Sequence, residues 1–317
     1  MSKFFTGMAV AGLIAGVGAY AVLPAAKTSV HTAAQTARAT VLAAIAPAAG
    51  EDNAVSDVVM VSHKAIYDFR MLGISSGSGG LSDIRGSMYY EQADACDGWT
   101  TDHRFTSEYF YPERPAMLNV SQYTAWEAKD GSLFQFNSER QENGNAGEQL
   151  RGAVEPAADG SAKAQFSRPP ELSFDLPAGY YLPVQHTAEI IRRARKGEKI
   201  FHAVLFDGTD AEGPVEVNAV ITKALDAKEL AAIGTLADGK PDARIDARLV
   251  AAPAWHVRMA VFPLYPKDGQ DSATPSYEMD MVLHDNGVVS DAVVDYQQFK
   301  LAQKLTALEA LPPADCQ

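Results

Sequence analysis

Residues 59–71 read VMVSHKAIYDFRM, and the order of their side chains decides the fold class. Val59, Val61, His63, Ala65, Tyr67 and Phe69 share one side of an extended chain, while Ser62, Lys64, Asp68 and Arg70 mostly fill the other. A period of two marks a half-buried strand, because successive side chains of an extended backbone point to opposite faces. The theme recurs downstream. Ile84, Met88 and Tyr90 alternate with Asp83, Arg85 and Ser87; Trp99, His103, Phe105 and Tyr109 alternate with Asp102, Arg104, Thr106 and Glu108. Later, Tyr277, Met279, Met281 and Leu283 alternate with Ser276, Glu278 and Asp280. Asp130-Gly131 and Asn286-Gly287 fall between strand-like runs, and such pairs tolerate the positive φ angles of tight hairpins. About ten or more short strands joined this way predict one antiparallel sheet, sandwich or barrel. No repeat of 20–50 residues is present, which disfavours a solenoid or propeller. The expected domain is a single β unit over 51–317.

One helix interrupts the strands, over about 184–196. Pro183 lies near its start, Ile190, Ile191 and Ala194 make an apolar side, and Gly197 follows its end. Arg192, Arg193, Arg195 and Lys196 crowd its last turn. They read either as a patch for an anionic partner or as cations complementing the carbonyl end of the helix dipole. A weaker helical signal covers 228–233, and the tail over 300–311 suits a helix or a strand.

Composition excludes several functions. With 40 acidic residues against 27 basic ones, the surface repels nucleic acid. Two cysteines cannot build a cysteine-rich zinc domain or a disulfide-dense miniprotein. At 47% apolar and 21% charged residues, the chain can form a core and is not disordered throughout.

Charge is unevenly placed. Residues 1–50 hold Lys3, Lys27 and Arg38 and no acid, so 24 basic and 40 acidic residues remain beyond them, a net of −16. Lys3, the apolar run over 7–23 and Ala19-Tyr20-Ala21 read as a secretory signal. Ala46-Pro47-Ala48 offers a second processing site, and an uncleaved inner-membrane anchor is the alternative to cleavage. Export predicts a periplasmic protein. In that setting Cys96 and Cys316, an even pair without other partners, read as one disulfide.

Little in the sequence asks for catalysis. Gly73-Ile74-Ser75-Ser76-Gly77 matches the nucleophile elbow of serine hydrolases, which works only at a strand-to-helix turn. Here Ser78-Gly79-Gly80 and another strand follow, as in a flexible hairpin loop, and a hydrolase using Ser75 stays as the alternative. The seven histidines show no metal-ligand spacing, and His63 and His103 fall on apolar strand faces as core residues do. Asp207, Asp210 and Glu212, with Gly208 and Gly213, lack the pattern of a calcium loop and read as a solvated turn. No cofactor or metal is expected.

Three segments carry a resemblance: HKAIYD (63–68), RGSMYYE (85–91) and ACDGWTT (95–101). His186, Glu189, Ile190, Phe206-Asp207-Gly208, Asn286-Gly287, Asp295-Tyr296 and LTALEAL (305–311) extend it in order to Cys316. Together they resemble the EipB family of alphaproteobacterial envelope-integrity proteins over about 58–317. The resemblance implies a strongly curved antiparallel sheet that spirals without closing into a barrel, with a helix on its concave side. It also implies the Cys96–Cys316 disulfide and a role in keeping the envelope intact under stress. Similar folds in periplasmic lipoprotein carriers hold acyl chains, although fold alone does not establish function. Tyr67, Phe69, Trp99, Phe105 and Tyr109 are the candidates to line such a lumen; filling a core is their other reading. The function expected is non-enzymatic binding, of an apolar ligand such as a lipid or lipoprotein acyl chain, or of a periplasmic protein. Membrane contact is expected only through an uncleaved leader.

Overall fold

The computed structural model describes residues 58–75, 80–267, 271 and 273–316, and the leader expected over 1–50 lies outside them. In chain order the strands are β1 (His63–Ile74), β2 (Asp83–Asp94), β3 (Gly98–Tyr111), β4 (Arg114–Ala128), β5 (Phe134–Glu142), β6 (Asn145–Pro156) and β7 (Ala162–Arg168). They continue as β8 (Ser173–Leu176), β9 (Ile200–Leu205), β10 (Val215–Ala224), β11 (Ala254–Pro263), β12 (Tyr277–His284), β13 (Val289–Asp295) and β14 (Phe299–Ala310). The helices are α1 (Pro183–Arg195), α2 (Ala227–Ala232) and α3 (Ala247–Val250).

These strands form one sheet in the order β8-β7-β6-β5-β4-β3-β2-β1-β14-β13-β12-β11-β10-β9. Two hairpin meanders therefore run outward from the middle, where β1 pairs antiparallel with β14, His63 opposite Ala310 and Tyr67 opposite Leu305. The edges of the sheet are β8 and β9, and α1 lies between them in the chain. The gap between these edges is spanned at Tyr181, whose N–H donates to the Val204 carbonyl at 2.8 Å and whose carbonyl accepts from Phe206 at 3.1 Å. The Tyr265 hydroxyl adds a bond to the Asp175 carbonyl at 2.8 Å. The result is a nearly closed β barrel, mainly antiparallel sheet, with the expected helix at its opening.

Bulges in the β1–β14 and β3–β4 ladders help bend the sheet, since an extra residue increases local twist. Gly86 helps the packing: a Cβ there would lie 2.4 Å from the Phe69 ring, which folds over it. The inward faces of β1–β3 and β9–β14 share one core with Val184, Ala188, Ile190, Ile191 and Ala194 of α1. A second core, around Phe134, Phe136, Phe166 and Phe206, fills the arc of β4–β8. Its ring centroids lie 5.0–6.4 Å apart, mostly edge to face, the arrangement aromatic quadrupoles favour.

Two expectations need correction. The strand does not begin at Val59, which is 77% exposed; Val58 and Met60 are buried instead, and the alternation changes phase before His63. The slip accompanies a bond from Val61 N–H to the Asn286 carbonyl at 3.0 Å, which ties this lead-in to a different turn. The loop holding Asp207 and Asp210 is not a solvated turn, because both residues are buried. Phe206 enters the second core, and Gly208, at φ +68°, sits where a Cβ would meet the Phe136 ring at 2.4 Å. The loop is drawn inward, where the Tyr123 hydroxyl bonds the Asp207 carbonyl at 2.7 Å and Arg140 bonds the Thr209 carbonyl at 3.0 Å. The segments left open resolve as α2 at 227–232 and as β14 at the tail.

Candidate functional site

Helix α1 begins without a capping side chain of its own. Its N-cap is Leu182, and its first turn holds no acid. Pro183 has no N–H to satisfy, but the next amides need acceptors. Glu127 of β4 supplies them from across the chain: its carboxylate accepts from Val184 N–H at 2.8 Å and from Gln185 N–H at 2.9 Å. Glu127 is only 3% exposed. Burial raises its carboxyl to about 7, and the two amide bonds oppose that rise without cancelling it.

The other end of α1 is held by Arg195, which bonds both oxygens of Asp285 at 2.6 and 2.8 Å in the β12–β13 turn. Thirteen residues thus reach about 20 Å, from the end of β4 to that turn. The intervening sheet ends form a continuous rim. Ser62 Oγ accepts from Asp94 N–H at 2.9 Å, the Asp97 carbonyl accepts from Lys129 N–H at 2.9 Å, and Leu311 N–H reaches the Ser62 carbonyl at 2.9 Å. Cys96 and Cys316 are bonded at this rim, with Cα atoms 5.6 Å apart.

Inside the rim lies a buried polar group. His63 and Gln92 are directly opposite on β1 and β2, and Trp99 of β3 is opposite Asp94, two residues beyond Gln92. His63 Nδ1 lies 2.8 Å from the Val61 carbonyl. A carbonyl only accepts, so Nδ1 carries the proton. Burial lowers the His63 pKa to about 4, so the ring is neutral and Nε2 is a bare acceptor. The Tyr90 hydroxyl donates to Gln92 Oε1 at 2.7 Å. Among the described residues, His63 Nε2, Gln92 Nε2 and Trp99 Nε1 find no partner. The His63, Tyr90, His103 and Tyr123 rings follow in a row, with centroids 4.8–5.5 Å apart.

The lumen candidates Tyr67, Phe69, Trp99, Phe105 and Tyr109 all face inward in the main core, none above 5% exposure. Tyr67 also donates its hydroxyl to the Val289 carbonyl at 2.8 Å. The basic residues at the end of α1 do not make an open patch. Arg192 and Arg193 face Glu189, Arg193 also reaches Glu198 at 2.8 Å and lies over the Phe201 ring, and Arg195 is committed to Asp285. Lys196 is exposed. An anionic partner would have to displace those carboxylates. Ser75 follows the end of β1, the next described strand is β2, and the Ser75 hydroxyl bonds the Gln297 carbonyl at 2.8 Å. Among the described residues no group of three or more histidines, cysteines or acids is placed to hold a metal, and no helix is long and apolar enough to cross a membrane.

Sequence reasoning missed Glu127, Gln92 and the buried Asp207 and Asp210. A signal for Glu127 existed: it continues the inward phase of Tyr123 and Ala125, where an acid is out of place.

The family model described as EipB-like matches residues 54–312. The chain belongs to the EipB-like family. One member, the cell envelope integrity protein EipB of Brucella abortus (strain 2308), is 31% identical over 265 residues, covering 82% of this chain and 88% of its own. A crystal structure of a β-barrel-like protein from Brucella abortus, of a domain of unknown function, superposes with a TM-score of 0.69 at 27% identity. That match covers 80% of this chain and all of the other. The shared architecture thus agrees with a curved antiparallel sheet that forms a nearly closed barrel.

Proposed function

We propose that this protein keeps the cell envelope intact from the periplasm, and that it does so by binding rather than by catalysis. The envelope role is supported by the name of its Brucella relative, and the periplasm by the leader and the cysteine pair, since disulfides persist in oxidising compartments. The observation that carries the binding mechanism is the seam. The sheet edges β8 and β9 are not paired with each other, and α1 packs its apolar side into the main core across the rim at one end of the barrel, so moving a helix opens the interior without breaking a strand ladder. An apolar ligand such as a lipid or lipoprotein acyl chain then meets the aromatic inward face.

Native mass spectrometry of protein gently purified from periplasm tests this. A bound mass that dissociates as lipid is the expected result. An empty protein, coupled with specific recovery of a periplasmic protein in pull-down, would replace the ligand with a partner.

A further inference from the structure

The three unpartnered atoms inside the rim form a complementary set. His63 Nε2 is an acceptor, and Gln92 Nε2 and Trp99 Nε1 are donors. Gln92 lies directly across from His63, and Trp99 is its diagonal neighbour on β3, close enough for long side chains to converge. An unpartnered buried polar atom is costly, and three at one end of a barrel form a site wanting a ligand group or water. A hydroxyl is the simplest group that answers them: it accepts two hydrogen bonds and donates one.

We propose that this niche receives the hydroxyl of an uncharged headgroup, so that the ligand is a neutral, hydroxylated amphiphile rather than an anionic one. Charge supports the choice. The Glu127 carboxyl belongs to the residue opposite Trp99, and His63 is neutral. A neighbouring cation, Lys129 Nζ, lies over the Trp99 ring and is held at 2.6 Å by Asp94. An anionic headgroup would bring charge into a buried site without an unengaged cation to receive it. The helix above the rim is the element that moves, and the apolar chain follows the inward face of β1–β3. The inference rests on the ligand-binding function proposed above.

The test compares three probes carrying the same acyl chain: 1-monomyristoylglycerol, myristate and myristoyl lysophosphatidylglycerol. Titration by calorimetry and tryptophan fluorescence should rank the glycerol ester roughly tenfold or more above both anions, one or two buried hydrogen bonds being worth about that factor. His63→Phe keeps a ring against Tyr90 and removes the acceptor; Gln92→Leu removes a donor and guards against a misfolded first variant. Either should erase the preference while leaving chain binding measurable. Chain binding with equal affinities, or a preference unchanged in both variants, overturns the headgroup assignment and means that the niche holds only water. If none of the three probes binds, ligand binding itself falls, and the niche assignment with it.

Discussion

Replacing Glu127 with glutamine should make the protein more stable at pH 8, although the change removes a buried charge that caps a helix. The carboxyl ordinarily titrates near 4.5 and is raised by burial to about 7 in the folded protein. A raised acid binds its proton more tightly when folded, so its contribution is complete below pH 4.5 and is lost as pH climbs through 7. The interval corresponds to about 3 kcal/mol at pH 8. Tyr90, Tyr123 and Tyr180 are the titratable neighbours that sense Glu127, and all stay neutral across this range, their own ionisation being pushed upward by burial. Glutamine keeps a carbonyl for Val184 or Gln185 and lacks the ionisation. Urea unfolding at pH 4.5 and pH 8 should therefore show Glu127→Gln within about 1 kcal/mol of the parent at the lower pH and up to about 3 kcal/mol above it at the higher. Glu127→Ala leaves two amides without an acceptor and should be destabilised at pH 4.5 by about 1–3 kcal/mol for each amide, a deficit that shrinks by about 3 kcal/mol at pH 8 because alanine lacks the ionisation too. The reasoning is refuted if glutamine keeps the parent's pH slope, or if it destabilises equally at both pH values.

Gly208→Ala should cost about 2 kcal/mol or more, since it combines a left-handed backbone with a Cβ in the Phe136 ring, and chemical denaturation would show it. Cys96→Ser opens a loop of 220 residues and should lower stability by up to roughly 5 kcal/mol, read as a fall in the urea midpoint of the oxidised protein. Ser75→Ala should leave survival of envelope stress unchanged; loss of survival with a normal melting curve would point to a hydrolase.

The fold was legible because most of its strands bury one face. The alternation at Ile84–Met88–Tyr90 and Tyr277–Met279–Met281 survives unaltered in the barrel wall, and Pro183 and Gly197 bracket α1 as their backbone chemistry requires. What period two could not convey was pairing over distance. Glu127 stands out in the sequence only as an acid on an inward face, and its reason appears when α1 arrives on it; Asp207 and Asp210 look solvated until Phe206 draws their loop onto β4 and β5. The arginines of α1 were read by their place near the helix end, yet Asp285, ninety residues away, is what Arg195 meets. The phase slip before His63 likewise depends on Asn286, from another turn.

The pairing of β1 with β14 has a consequence for how the chain is made. Each neighbouring ladder in the two meanders joins successive strands, so it can form soon after its second strand is delivered. The β1–β14 ladder instead joins His63 to Ala310 and waits for nearly the whole polypeptide. A chain threaded through a membrane from its amino end would hold the open edge of β1 exposed until the last strand crosses, an interval in which it is vulnerable to aggregation and to proteases. Cys316 follows β14 closely, so oxidation with Cys96 comes at the end of that wait and secures the late-arriving strand beside the first.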